Sequence, residues 1–302
     1  MKKSILFLWL SLTLTARAQP TANSLTATAT ARPDYVSPYR LRTSLEISLL
    51  GAGGLTYGAA YAFNRSLQPL TPASVAQLNP AAVSGFDRSA LSRYSPNANR
   101  LSDLTLGAGV GLAGVVMLTA RPTDALRKPL LKSELMTIGV MYAETMLLTN
   151  GLKSAVKNAV ERTRPYAYNP AAPLEDKLDK DTQRSFYSGH AANAFATAVF
   201  AAEVYYHYHP RSRGKAWVWT GSLGLATGTA YLRYQAGQHF PSDLLVGAAV
   251  GSLAGWGIPK LHQNRAGKPR AFWRNATLSP WSNGLASGVY LRWNVSGQSI
   301  VN

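Results

Sequence analysis

The chain has 302 residues, with 46% hydrophobic and only 15% charged, which excludes a disordered protein and leaves room for one sizeable helical domain. Thirty-one Lys and Arg against 14 Asp and Glu give a formal charge of +17, suited to an anionic membrane surface or a phosphorylated substrate. The basic residues are scattered without a nucleic-acid motif, and the lack of cysteine excludes disulfides and thiolate metal sites.

Lys2 and Lys3 precede an apolar run from Ile5 to Leu14, and Ala16-Arg17-Ala18 offers a small-x-small cleavage site. Residues 1–18 therefore read as a secretory signal peptide, the run being short for a membrane helix, and the site is expected in the cell envelope, facing outward. Residues 19–42, rich in Thr, Ala and Pro, read as a flexible leader. Six largely apolar segments of helix length follow: Ser44–Asn64, Leu104–Ala120, Glu134–Leu152, Ala191–Tyr206, Ala216–Leu232 and Leu244–Ile258. The expected fold is all-α, a bundle of about six apolar helices over residues 43–262 with its core at 104–258.

Three of the segments are free of charge, while Glu46, Glu134, Glu144 and Glu203 fall in the others. The connections Arg121 to Lys132, Arg211 to Lys215 and Lys260 to Arg274 are basic and would face the cytoplasm if the helices span a bilayer. Both a membrane bundle and a soluble or peripheral one fit this pattern; membrane association is the favoured expectation. The connection Tyr166–Tyr187, with Glu175, Asp176, Asp179 and Asp181, reads mainly as a solvated loop and secondarily as a lid. Residues 263–302 form a tail, in which Val289, Leu291 and Trp293 alternate with polar positions after Asn283-Gly284. That pattern fits a short β-hairpin or an irregular tail.

Three separated blocks supply groups suited to a phosphoryl site. In the first, Lys157 and Arg164 are seven apart, on nearly one face if helical, and Pro165 marks a helix end. In the second, Ser188-Gly189-His190 opens an apolar helix. A hydroxyl and N-terminal N–H groups there suit an anion, and His190 suits proton donation. In the third, Arg233 can grip phosphate oxygens, and Asp243 can turn back to His239, fixing its tautomer and freeing the other nitrogen as a nucleophile. Each block alone also has a plain structural reading, as helix-end cations, a helix cap or a surface loop.

Taken together the blocks resemble the superfamily of type-2 phosphatidic acid phosphatases, bacterial acid phosphatases and vanadium haloperoxidases. Its signature runs Lys-x6-Arg-Pro, Pro-Ser-Gly-His, then Ser-Arg-x5-His-x3-Asp. Lys157, Arg164 and Pro165 match fully; Ser188, Gly189 and His190 match with Tyr187 in place of proline; Arg233, His239 and Asp243 match with Leu232 in place of serine. The resemblance implies a phosphatase needing no cofactor or metal, acting on a phosphomonoester or diphosphate, including lipid phosphates. Lys157, Arg164, Arg233, Ser188 and Gly189 would bind phosphate. His239, oriented by Asp243, would form a phosphohistidine, and His190 would protonate the leaving group. The same site with bound vanadate would make a haloperoxidase, and a non-enzymatic helical membrane protein is the remaining alternative. His207, His209 and His262 match no motif position and read as surface residues.

Overall fold

The computed structural model describes residues 36–64, 68–119, 128–264, 276–282 and 287–293. The signal-peptide reading and most of the leader lie outside these residues, as does the Asn283-Gly284 turn. The described part is a helical bundle whose long members are α1 (Thr43–Asn64), α3 (Pro96–Leu118), α4 (Lys128–Val160), α7 (Gly189–Tyr208), α8 (Lys215–Gln235) and α9 (Pro241–His262). Short helices α2 (Pro72–Ala76), α5 (Pro165–Tyr168) and α6 (Leu174–Lys177) sit in the connections. Five of the six expected apolar segments lie wholly within one long helix, while Leu104–Ala120 was drawn past the end of α3 at Leu118, and local chemistry sets several starts. Ser95 caps α3 by accepting from the Ala98 N–H, with Pro96 at the first helical position. In α9, Pro241 takes that position and the Asp243 carboxylate accepts from the Phe240 N–H at 2.9 Å.

The tail holds two antiparallel strands, β1 (Ala276–Ser282) and β2 (Ser287–Trp293), with Leu278 opposite Leu291 and Pro280 opposite Val289. The end of the expected leader is not loose. Tyr39 is buried, pairs as an isolated bridge with Gln263 and packs with Ile138, Met141, Phe200, Val204 and Ile258 in the main core cluster.

The closest packing joins α7 to α9, and glycine makes it so. A Cβ on Gly247, Gly251 or Gly255 would meet the carbonyl oxygens of Ser188, Ala192 and Ala196 at 2.6, 2.1 and 2.4 Å. Side-chain-free positions four residues apart let one helix lie directly on the other's backbone. Because Gly247 meets the start of α7 and Gly255 its middle, the two helices run parallel, and their N-termini emerge together. The Ser188 N–H donates to the Asp243 carbonyl at 3.0 Å, fixing the register of the two termini. The starts of α3 and α7, the turn that leads into α9, and the ends of α1, α4 and α8 line one cavity.

Candidate active site

That cavity has a volume of about 650 Å³ and is lined by Lys157, Arg164, Gly189, His190, Arg233 and His239, among others. The structure thus brings all three sequence blocks to one place. Ser188 and Asp243 stand directly behind the lining, both fully buried. Ser188 Oγ accepts from the Ala191 N–H at 3.3 Å as the cap of α7.

The first block reaches the cavity by a different route from the one its spacing suggests. Helix α4 ends at Val160, Glu161 adopts a left-handed backbone (φ 40°), and Arg164 is extended, capping α5 with Pro165 at its first position. Lys157 therefore projects from a helix and Arg164 from the following loop, not from one helical face. A non-glycine residue with positive φ commonly follows a helix C-terminus, where it turns the chain. The loop is then held by the Arg164 N–H donating to the Thr182 carbonyl at 2.8 Å. Residues 166–187 form a wall more than a solvated loop: Tyr166, Thr182, Arg184, Ser185 and Tyr187 are buried, and Asp176, Asp179 and Asp181 line the cavity.

His239 sits on the turn between α8 and α9. That turn needs Gly237, whose φ is +69° and whose missing Cβ would overlap the Arg93 carbonyl oxygen at 2.1 Å. The His239 ring is 1% exposed, and its Nδ1 lies 2.8 Å from the Ser185 carbonyl oxygen. A carbonyl only accepts, so Nδ1 carries the proton and Nε2 keeps its lone pair. The Asp243 carboxylate approaches Nδ1 to 3.7 Å, outside hydrogen-bond distance. It accepts instead from Ser185 Oγ at 2.5 Å and from Arg162 at 2.5 Å. Arg162 also pairs with Asp87 at 2.8 Å and stacks over the Phe240 ring. Asp243 therefore acts on His239 mostly through Ser185, whose hydroxyl it fixes and whose carbonyl holds the imidazole.

The electrostatics are those of a cavity crowded with cations. Lys157 Nζ donates to the Arg184 carbonyl at 2.6 Å; burial first, then Arg164 and Lys153, hold this ammonium well below the usual lysine range. Arg164 donates to Gln238 Oε1, and Arg233 donates to Asn99 at 2.5 Å and to Gln238 at 3.3 Å. The Nε groups of Arg164 and Arg233 are buried with no hydrogen-bond partner among the described residues. Burial, with Lys157, Arg164, Arg233 and His190 all acting in the same direction, holds His239 well below the ordinary histidine value. Burial and then Arg233 push His190 down to about 4, against the opposing pull of Asp103. Both shifts favour the neutral imidazole.

Several of these residues escaped the sequence reading. Asp103 on α3 accepts from His190 Nε2 at 2.7 Å and lies 3.9 Å from Arg233. Ser185, Arg162, Gln238 and Lys153 also shape the site; Ser185, Arg162 and Gln238 lie beside motif residues, while Lys153 lies one helical turn before Lys157. His262, read as a surface residue, is completely buried. It meets Glu46 and Glu144 inside the bundle, partners more than a hundred residues away that no local pattern reveals.

Residues 138–266 match the model of the PAP2 superfamily. Among curated proteins, the chain is 29% identical over 137 residues to a lipid A 4'-phosphatase of Bacteroides thetaiotaomicron, covering 42% of this chain and 56% of that protein. It is 31% identical over 110 residues to a lipid A 1-phosphatase of Porphyromonas gingivalis, covering 36% and 22%. The chain therefore spans little more than half of the first relative and under a quarter of the second. Among solved structures, a transmembrane PAP2-type phosphatidylglycerolphosphate phosphatase of Bacillus subtilis aligns over 74% of this chain and 98% of its own, at 19% identity and a TM-score of 0.43.

Proposed function

We propose that the protein is a membrane-associated lipid phosphatase that works through a phosphohistidine on His239 and needs no metal for its chemistry. The observation that carries this reading is the buried His239 ring, with its Nδ1 2.8 Å from the Ser185 carbonyl oxygen. Its free Nε2 belongs to a cavity walled by Lys157, Arg164 and Arg233. In the proposed first step Nε2 attacks phosphorus while the bond to the leaving oxygen breaks, and protonated His190 supplies that oxygen with its proton. Water then attacks the phosphohistidine, His190 takes a proton from it, and phosphate departs with His239 restored. Three fixed cations at the phosphoryl oxygens supply the charge stabilisation, and the arginine Nε donors without partners among the described residues are suited to it. An incoming phosphate dianion also offsets the cations that suppress protonation of His190, so binding charges the general acid.

Two features support a lipid substrate. A second, apolar cavity of about 240 Å³ lies among α3, α7 and α8, lined by Val110, Val116, Trp217 and Leu225, and Leu106 lines both cavities. An acyl chain entering there would place its headgroup toward the cations. The bundle is also apolar outside: Leu55, Leu104, Val115, Trp217, Leu245 and Leu253 are exposed, while Glu134, Glu144 and His262 are buried. Helices α3 and α9 are long and apolar enough to cross a membrane, and only 17% of the most apolar window of α3 is buried. The lipid A phosphatases it resembles make phosphorylated glycolipids the first class to test. The decisive assay measures phosphate released from lipid A, phosphatidic acid and a soluble aryl phosphate in mixed micelles, without added metal. Lipid phosphates should be cleaved fastest. Equal release by wild type and His239→Ala would end the reading, and vanadate-dependent bromide oxidation in place of hydrolysis would replace it.

A further inference from the structure

Outside the phosphate cavity, one group of buried polar side chains has no role in the mechanism above. Glu46 of α1, Glu144 of α4 and His262 of α9 converge inside the bundle, with one ligand atom from each within 4.8 Å of the others. None of the three lines the cavity. His262 Nδ1 lies 2.9 Å from the Ile258 carbonyl oxygen, which can only accept, so the ring proton is on Nδ1. In the neutral ring Nε2 is then a lone pair, and it faces Glu46 Oε1 at 2.9 Å and Glu144 Oε2 at 3.3 Å. Three acceptors pointed at one another repel unless something positive lies among them. Neither carboxylate oxygen of Glu144 has a hydrogen-bond partner among the described residues, nor has Glu46 Oε2, and Glu144 is only 1% exposed. A single proton on Nε2 satisfies one carboxylate and leaves the other buried with its charge uncompensated, which is costly.

We propose that Glu46, Glu144 and His262 form a binding site for a divalent first-row cation, with Zn²⁺ as its test case. Two carboxylates and one neutral imidazole balance a 2+ charge and make a donor set that such cations accept. Bonds of about 2.0–2.1 Å in a tetrahedron separate ligand atoms by roughly 3.3 Å, and the separations from Nε2, 2.9 and 3.3 Å, are near that value. The Ile258 carbonyl fixes the imidazole tautomer, as outer partners of metal-bound histidines do. Glu46 is the one partly exposed member, its side chain 12% accessible, and forms the entrance. The ion would tie α1, which lies before the matched segment 138–266, to α4 and α9. Its role is structural, about 20 Å along α4 from Lys157.

The test uses the full chain in detergent micelles, freed of metal with a chelator and titrated with ZnCl₂, with bound zinc and the melting temperature both measured. Wild type should retain about one Zn²⁺ per chain after desalting. Its Tm should rise by about 5–10 °C at free zinc a hundredfold above Kd. Glu144→Gln and His262→Gln should lose both effects, whereas His207→Gln, which alters a nearby histidine outside the cluster, should keep them. If Glu144→Gln does not fold, Glu46→Gln at the entrance should still fold and bind more weakly by at least about tenfold. Wild type that retains no zinc and shows no Tm shift overturns the proposal, and so does zinc binding that survives His262→Gln. Neither readout depends on phosphatase activity, so failure here leaves the proposed reaction standing.

Discussion

Around the cavity, Lys157, Arg164 and Arg233 are buried beside two imidazoles; deeper in the same bundle, a buried Glu144 and a partly buried Glu46 stand beside a third. Both places leave buried polar atoms without hydrogen-bond partners among the described residues, arginine Nε donors in the first and carboxylate oxygens in the second. The difference is sign and access. The cationic group surrounds an open cavity, as the turnover proposed for it would require. The acidic group is nearly closed, which suits an ion that stays. A histidine stands in each, and in each a backbone carbonyl takes the Nδ1 proton and turns Nε2 toward the charged side chains. On these two proposals, the same local backbone geometry would prepare one ring as a nucleophile and the other as a ligand, with the surrounding charge deciding between them.

The comparison breaks first at His239. If its Nε2 is the nucleophile, His239→Ala should lower lipid phosphate release by about 10⁴-fold or more, with helical circular dichroism unchanged. His262→Gln should leave the chemical step unaltered in the same assay. Arg233→Lys tests the cationic half more gently. It keeps one positive charge but loses the planar fork that now reaches Asn99 and Gln238, and kcat/KM should fall about a hundredfold. An unchanged rate would mean that Arg233 only packs.

The helices joining the two regions carry the next effect. Gly251→Val puts a side chain where the Ala192 carbonyl already lies, so α9 must lift from α7, at about 1–3 kcal/mol and a loss of roughly 5 °C in Tm. A Cβ on Gly257 of the same helix would meet nothing within 4 Å, so Gly257→Ala should be neutral or slightly stabilising. Equal effects of the two substitutions on thermal melting would show that the close approach has no energetic weight.

The cationic region was largely legible in the sequence and the acidic one was not, and the reason is physical. Lys157, Arg164, Ser188, Gly189, His190, Arg233, His239 and Asp243 fall in three short blocks because helix ends present them, and chain-local spacing records helix ends. Apolar runs likewise marked all six long helices. The spacing of Lys157 and Arg164 misled, because seven residues suit two helical turns equally well when Glu161 breaks the helix between them. Glu46, Glu144 and His262 come from the bodies of three different helices, and only tertiary packing assembles them. Asp103 was missed for the same cause, being 87 residues from His190.

Asp103 gives the smallest and most discriminating expectation, because it contacts His190 directly and approaches Arg233 only to 3.9 Å, outside hydrogen-bond distance. Its carboxylate holds His190 Nε2 at 2.7 Å and favours the protonated ring, while burial and Arg233 oppose protonation and keep the value near about 4. Asp103→Asn removes the favourable charge, so the His190 pKa should fall further. A general acid must be protonated to act, so activity is lost as pH rises through its pKa; a lower pKa moves that loss to lower pH. The basic limb of kcat/KM should therefore shift acidward, with roughly tenfold less activity at pH 7 and little change in KM. A substrate whose leaving group needs no proton, such as a nitrophenyl phosphate, should be nearly indifferent to the substitution. If both substrates lose activity alike and the pH profile keeps its shape, Asp103 is a partner of Arg233 in packing, and the proton must come from elsewhere.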